Sequence, residues 1–178
     1  MHRALGCFGM LSRRVILATT LFAPLARGHE LTGRVVHIAD GDTIAVLDAA
    51  KATHKIRLLG IDAPEKKQAF GTKSKDALAE RVAGQQVTVV WKKRDRYGRV
   101  LGKILLGSRD IDLEMVETGL AWHYKNFAKD QDPAERIQYA EAELAARGAK
   151  RGLWVDASPV APWEFRRART RAHAIARP

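Results

Sequence analysis

Six charged residues stand where predicted strands end or turn, and their types could do chemistry together. Two acids flank the glycine of ADGDT, two more flank the proline of IDAPE, and the arginines lie in IRLL and after DRYG. In chain order they are Asp40, Asp42, Arg57, Asp62, Glu65 and Arg99. Each also has an ordinary explanation, because Asp-Gly is a common hairpin turn and an arginine on a strand is usually solvated.

Five of the six residues could together hydrolyse a phosphodiester. Asp42 and Asp62 supply carboxylate oxygens, which suit Ca²⁺, a hard cation that takes about six to eight oxygen ligands. Arg57 and Arg99 supply forked donors, which match phosphate oxygens and neutralise their charge. Glu65, just past Asp62, could orient or deprotonate an attacking water. This chemistry requires the first hairpin to pack beside the end of the third strand.

Five short apolar runs predict the strands that must bring these residues together. They are 31–39, 43–48, 53–64, 86–93 and 100–106. Helical signals predict a helix over 70–84, a short helix from Asp112 to Gly119, and a third that begins at Asp132 and ends at Gly148. This order predicts an α+β fold, a five-stranded Greek-key barrel of the OB type with about three helices.

Composition and the N-terminus bound the class of protein. The chain has 178 residues, an apolar content of 46% and a net charge of +11, which fits one globular domain with extensions. Residues 1–28 have the pattern of an export signal, since a basic start precedes VILATTLFAPLA, an apolar run too short to span a bilayer. We expect a periplasmic or secreted monomer with no stable membrane association after cleavage; an uncleaved anchor is the alternative. Cys7 is the only cysteine, so a cleaved chain has neither a disulfide nor a cysteine-ligated zinc site.

A basic tail, 156–178, follows the predicted domain at 29–155. Residues 147–178 hold eight Arg or Lys against two acids, a charge of +6. The prolines predict an extended and partly mobile segment. The tail is either an electrostatic handle for a polyanion or a segment that Trp163 and Phe165 pin to the barrel.

Two expectations concern faces of the fold. Ile137, Ala140 and Leu144 are expected to form the buried stripe of the third helix. His123 is expected on the surface and not in catalysis.

The fragments DGDT, IRLLGIDAPE and DRYGR, in this order and at this spacing, resemble the staphylococcal (micrococcal) nuclease family, also called thermonuclease-like. The resemblance extends to GLAWHY and KRGLW and covers roughly residues 31–155. It implies an OB-type barrel with three helices, one bound Ca²⁺, and hydrolysis of DNA and RNA that leaves 3′-phosphate ends.

The resemblance also implies a role for each matching residue. The metal ligands fall on Asp42, Asp62 and the carbonyl of Ala63, the catalytic residues on Arg57, Glu65 and Arg99, and supporting residues on Asp40 and Thr43. A nucleotide-stacking tyrosine maps among Trp122, His123 and Tyr124, of which Tyr124 is our choice. Two departures stand out. The best-known member of the family has threonine at Ala63, where only the carbonyl is needed, and the basic loop after the catalytic glutamate is shorter here, with only KKQA before Phe70.

Two functions from different classes fit these observations. The first is an exported, Ca²⁺-dependent nuclease; the second is an OB-type module that binds nucleic acid or another polyanion without cutting it. The complete catalytic set favours the enzyme, because a binding module is free to lose any member of it. The sequence contains no G-x-S-x-G elbow, H-E-x-x-H, Walker loop or dinucleotide glycine motif.

Overall fold

The computed structural model describes residues 28–175, which fold around a closed five-stranded barrel. The predicted export signal lies outside these residues except for Gly28, as do 176–178. The barrel strands are β1 (His29–Asp40), β2 (Thr43–Asp48), β3 (Thr53–Leu58), β5 (Gln86–Arg94) and β6 (Val100–Leu106). Neighbours pair antiparallel in the order β3-β2-β1-β5-β6, and a parallel pairing of β3 with β6 closes the barrel. The predicted OB-type barrel is therefore confirmed.

Short strands and helices surround the barrel. β4 (Ile61–Asp62) pairs with β8 (Trp122–His123), and β7 (Arg109–Asp110) pairs with the end of β6. The helices are α1 (Gly71–Val82), α2 (Ile111–Glu117), α3 (Pro133–Gly148) and α4 (Pro162–Ile175), with 3-10 turns at Lys125–Asp130 and Gly152–Val155. In the part of the chain described, none of these helices combines the length and apolarity needed to cross a bilayer.

Alternating apolar residues of the strands fill the barrel interior, as the period of two predicts. Val46, Ile56, Val89 and Ile104 are each 0% exposed. α1 contributes Leu78 and Val82 to this core, and α2 adds Met115 and Val116. A second, smaller cluster lies outside the barrel and consists of Trp122, Ala146, Leu153, Trp154 and Ala161. This second cluster anchors the C-terminal segment.

The third strand is shorter than predicted. β3 ends at Leu58, and pairing resumes in the two-residue strand β4. Gly60 separates the two with φ of 79°, a left-handed conformation that a side chain at this position would strain. The break turns the chain so that Asp62 lies in a separate two-residue strand, β4, and no longer in β3.

The predicted buried stripe of the third helix is wrong. Ile137 is 61% exposed and Leu144 is 68% exposed. α3 instead buries Tyr139, Glu143 and Ala146. Two of these residues are polar and have partners: the Tyr139 hydroxyl donates to Asp110 at 3.0 Å, and Glu143 accepts the His123 backbone N–H at 3.1 Å. The buried face of α3 therefore contains polar residues with hydrogen-bond partners, where an apolar stripe was predicted.

The prediction of an extended tail is also wrong, because residues 162–175 form helix α4. Pro162 begins the helix, where its missing N–H costs nothing, and Glu164 lies in the first turn. Trp163 packs edge-on against Trp122 with ring centroids 5.4 Å apart. The expectation that Trp163 pins the segment to the body of the protein agrees with this contact.

Candidate active site

One pocket of about 730 Å³ at the rim of the barrel contains every site residue predicted from the sequence. Its walls include Asp40, Asp42, Thr43, Arg57, Asp62, Ala63, Glu65, Arg99 and Tyr124. These residues come from the β1–β2 turn, β3, the β4 segment, the β5–β6 hairpin and the stretch after β8. The fold thus gathers residues that are far apart in the sequence.

Asp42 enters the pocket from the tight turn between β1 and β2. A Cβ on Gly41 would lie 1.9 Å from the Ser74 Oγ and 2.8 Å from the Ala63 Cβ, so only glycine lets the turn approach α1 this closely. The Asp40 carboxylate accepts the Asp42 backbone N–H at 3.1 Å. The two turn residues are Gly41 and Asp42, because Asp40 still belongs to β1 and pairs with Thr43. The predicted hairpin turn is therefore present but shifted by one residue, and Asp42 is itself part of it.

The Asp42 carboxylate is held by its neighbours on both oxygens. Thr43 Oγ1 donates to one oxygen at 3.1 Å, and the Ala63 backbone N–H donates to the other at 2.7 Å. Asp42 is only 6% exposed. Burial, opposed by Arg57 and reinforced by the neighbouring carboxylates, raises the pKa of Asp42 to about 8. The site therefore favours a further positive charge beside this carboxyl group.

Arg57 lies between the two aspartates. Its Nη1 is 2.9 Å from Asp42 Oδ2 and its Nη2 is 2.8 Å from Asp62 Oδ1. Nη1 also donates to the Ile61 carbonyl at 3.1 Å. Arg57 is 7% exposed and Asp62 is 0% exposed, so these are buried ion pairs whose charges have little access to water. One guanidinium reaches both carboxylates, so the two aspartates face a common cation.

Arg99 reaches the pocket from the β5–β6 hairpin. Its Nε donates to Asp95 Oδ2 at 2.7 Å. Tyr97, at the tip of the hairpin, is 68% exposed, and the Arg99 guanidinium lies 5.6 Å from the centre of its ring. Lys93, Arg94 and Arg96 add positive charge to the same wall. This wall is suited to an anion, with an exposed aromatic face beside it.

Burial distinguishes the three candidates for an aromatic contact with the nucleotide. Trp122 and His123 are buried, and His123 is 4% exposed, so its predicted surface location is wrong. His123 hydrogen bonds to Gln131 at 3.1 Å and packs against Tyr139. Only Tyr124 is half-buried and faces the pocket, where Trp163 and Phe127 flank its ring.

Arg166 is a pocket residue that sequence reasoning missed. It comes from the first turns of α4, and its Nη1 lies 2.7 Å from Glu65 Oε1. Its Nη2 lies 2.7 Å from Asp62 Oδ2. Pro162 is a residue type that favours the first position of a helix, so the start of α4 could have been predicted from the sequence. No local pattern links residue 166 to residues 62 and 65.

The carboxylate set is sparse. Across residues 28–175, no three His, Cys, Asp or Glu side chains are grouped as a metal site. Asp42 and Asp62 offer carboxylate oxygens next to the Ala63 backbone, so side chains supply a minority of the oxygens that a Ca²⁺ ion takes. The carboxylate oxygens of Asp42 and Asp62 are hard donors, which fit a hard cation such as Ca²⁺.

The barrel and this pocket define an OB-type protein with acidic residues and arginines concentrated at one rim. Residues 55–156 match the model of the family described as staphylococcal nuclease homologue. The chain therefore belongs to the staphylococcal nuclease family.

Proteins described as nucleases match this chain over most of their length, which supports the assignment. A protein of Escherichia coli described as an uncharacterized endonuclease is 46% identical over 138 residues, 77% of this chain and 86% of its own. An uncharacterized endonuclease of Haemophilus influenzae is 39% identical over 163 residues, 89% of this chain and 88% of its own. The micrococcal nuclease of Shigella flexneri is 38% identical over 165 residues, 88% of this chain and 92% of its own.

Proposed function

We propose that this protein is an exported, Ca²⁺-dependent nuclease that hydrolyses phosphodiester bonds of DNA and RNA and leaves 3′-phosphate ends. The observation that carries the proposal is the single pocket that contains Asp42, Arg57, Asp62, Glu65 and Arg99. Family membership and relatives described as endonucleases or a micrococcal nuclease support it.

Each residue has a role that follows from its chemistry. Asp42, Asp62 and the Ala63 carbonyl hold the Ca²⁺ ion, which supplies charge stabilisation at the phosphate when bound. Asp40 and Thr43 support the Asp42 side of the site through the turn and one hydrogen bond. With so few protein ligands, we expect weak binding, on the order of 10⁻⁴–10⁻³ M.

The remaining residues act on the substrate. Glu65 is half-buried in the pocket and orients or deprotonates the attacking water. Arg57 and Arg99 neutralise the charge that grows on the phosphate oxygens in the transition state. Tyr124 lines the same pocket and offers a ring to the nucleotide.

Export is part of the proposal and rests on the pattern of residues 1–28. It predicts that the full-length chain expressed in a bacterium is recovered from the periplasm or the medium without its first residues. Intact-mass measurement of the recovered protein and of the cell-associated protein tests this. Recovery of the uncleaved chain in the membrane fraction supports the retained anchor instead.

The central experiment is digestion of plasmid DNA and of RNA in Ca²⁺, in Mg²⁺ and in EGTA. We expect cleavage in Ca²⁺, little in Mg²⁺, which holds its waters tightly and demands octahedral geometry, and none in EGTA. The new 5′ ends should accept phosphate from polynucleotide kinase without prior dephosphorylation, as 3′-phosphate products require. Asp42→Asn is the matched inactive control. Equal rates in Mg²⁺ and Ca²⁺ contradict the metal assignment, and binding without cleavage supports the non-catalytic module.

A further inference from the structure

Helix α4 places a third arginine, Arg166, beside the pocket carboxylates of Asp62 and Glu65. Arg166 donates through Nη2 to Asp62 Oδ2 at 2.7 Å, through Nη1 to Asp62 Oδ1 at 3.2 Å, and through Nη1 to Glu65 Oε1 at 2.7 Å. We propose that Arg166 is an internal counter-cation of the site, and that a divalent cation must displace it from Asp62 in order to bind. This inference rests on the proposed role of Asp62 as a metal ligand.

The occupancy of Asp62 explains why the two cations compete. Both of its oxygens are engaged by guanidinium groups, since Arg57 also reaches Oδ1 at 2.8 Å. A carboxylate offers about four lone-pair sites, and two positive groups already approach this one. A third cation on the same carboxylate would meet like charge in a buried environment, where screening is weak.

Arg166 is the arginine that can leave. The Arg57 side chain is 9% exposed and donates to the backbone carbonyls of Leu58 and Ile61, whereas the Arg166 side chain is 42% exposed. A guanidinium at the surface regains water when it releases a carboxylate, and a buried one does not. The exchange therefore requires movement of one side chain and leaves the barrel intact.

The base of α4 fixes where Arg166 points. Trp163, one turn earlier on the same helix face, packs between Trp122 and Tyr124 with ring centroids 5.4 Å from each. Gln68 donates to the Val160 carbonyl at 2.6 Å just before the helix. These contacts hold the first turn of α4 beside the pocket whether or not Arg166 is paired.

The same exchange acts on Glu65. While Arg166 holds Glu65 Oε1, this carboxylate has a fixed guanidinium partner. Because the same Nη1 also donates to Asp62 Oδ1, displacement of Arg166 from Asp62 removes one of the contacts that hold its guanidinium beside Glu65.

Direct Ca²⁺ titration by calorimetry, without nucleic acid, tests the competition. Arg166→Gln keeps a hydrogen-bond donor and removes the charge; Arg167→Gln, the neighbour on the same helix, makes the same charge change away from the carboxylates. We expect Arg166→Gln to tighten Ca²⁺ binding about tenfold or more, the effect of one charge within a few ångströms of a carboxylate. Arg167→Gln should change the affinity less than about twofold, because solvent screens it. Arg166→Lys should fall between wild type and Arg166→Gln, since an ammonium cannot bridge both carboxylates.

Thermal unfolding is a second measurement, and it distinguishes loss of the counter-cation from misfolding of the variant. In EGTA, Arg166→Gln should unfold at a lower temperature than wild type, because Asp62 loses a counter-cation, and Ca²⁺ should raise its Tm more than it raises that of wild type. An affinity of Arg166→Gln equal to or weaker than that of Arg167→Gln overturns the inference. If Asp42→Asn abolishes Ca²⁺ binding while Arg166→Gln leaves it unchanged, this inference fails and the metal site stands. If wild type and Arg166→Gln both fail to bind Ca²⁺ at millimolar concentration, both proposals fail.

Discussion

Asp95 holds Arg99 by two hydrogen bonds across the β5–β6 hairpin. Its Oδ2 accepts the Arg99 Nε–H at 2.7 Å, and its Oδ1 accepts the Arg99 backbone N–H at 2.9 Å. Burial opposes ionisation, yet the bonds from Arg99 and the hairpin backbone lower the pKa of Asp95 below its ordinary value. The carboxylate therefore stays charged and fixes the guanidinium plane of Arg99, which lines the pocket. Pre-set donors of this kind stabilise developing charge without reorganising.

Asp95→Asn should therefore reduce kcat/KM by about tenfold, because a misaligned donor loses part of its transition-state interaction. Arg99→Ala removes the donor altogether and should cost on the order of 10²–10³ in kcat. Steady-state kinetics in saturating Ca²⁺ measure both. Asp76→Asn, a change on α1 away from the pocket, is the matched control and should leave the rate unaltered. A wild-type rate for Asp95→Asn would show that Arg99 needs no such support.

Glu65→Gln should lower kcat by ~10²–10⁴, the range typical of a lost acid-base group. The amide keeps the size of the side chain and a hydrogen bond to Arg166, so the fold should persist by circular dichroism. Glu141→Gln, an exposed change on α3, controls for loss of negative charge. A folded Glu65→Gln protein that cleaves DNA at nearly the wild-type rate would remove Glu65 from the mechanism.

Gly41→Ala should destabilise the protein by about 1–3 kcal/mol, the usual cost of overpacking. The new Cβ would lie 1.9 Å from Ser74 Oγ, and the β1–β2 turn would have to retreat from α1. Urea unfolding of the single variants and of Gly41→Ala/Ser74→Gly forms a double-mutant cycle. Because Ser74→Gly removes the nearest clashing atom and leaves only the Ala63 Cβ at 2.8 Å, the double variant should be more stable than the sum of the single changes predicts. Additive effects would mean that the turn relaxes without contacting Ser74.

The barrel was predictable because each barrel strand carries its own signal. Alternation places Val46 and Ile56 on inner faces, and Gly41 marks the turn of the first hairpin to within one residue. The sequence also predicted nine of the residues that line the pocket, because the family motifs keep their order along the chain. Strand alternation is local, and the motifs follow one another in a fixed order. Both kinds of pattern can be recognised in a single sequence.

The errors have a different physical origin. Tyr139 and Glu143 face inward because Asp110 and the His123 backbone satisfy them, and these partners are distant in sequence. Arg166 reaches Asp62 across 104 positions, through a helix whose register depends on where Trp163 packs. Contacts set by tertiary partners leave no periodic trace in the sequence.

Buried His123 should make stability depend on pH. Burial lowers the pKa of His123 below its ordinary value of 6.5, so the unfolded chain binds a proton more readily than the native protein. The free energy of unfolding should then fall as pH drops below 6.5. Thermal unfolding in EGTA between about pH 7.5 and about pH 5.5 measures this slope. His123→Gln should flatten it, whereas His37→Gln, an exposed control on β1, should not; equal slopes in all three proteins contradict the assignment.

Variants of the exposed arginines of α4 test whether the basic tail is an electrostatic handle for a polyanion, independently of Arg166. Arg169 and Arg171 lie on α4 beyond its packed first turn and are both exposed. If this part of the helix binds long nucleic acid, replacing both by glutamine should raise KM on long duplex DNA and leave kcat and the KM of a dinucleotide-sized substrate unchanged. The plot of log K against log[salt] should flatten by ~0.9 for each phosphate that is no longer neutralised on duplex DNA and by ~0.7 on single strands.

Arg34→Gln/Lys55→Gln is the matched control, because both residues are exposed on barrel strands and do not line the pocket. It removes the same charge and should leave the salt slope nearly unchanged. If the control and the α4 variant shift KM equally, net charge explains the effect, since long-range attraction depends on total charge. If neither shifts KM at low salt, the arginines of α4 contribute nothing to substrate binding, and the packing of Trp163 on Trp122 is what α4 provides.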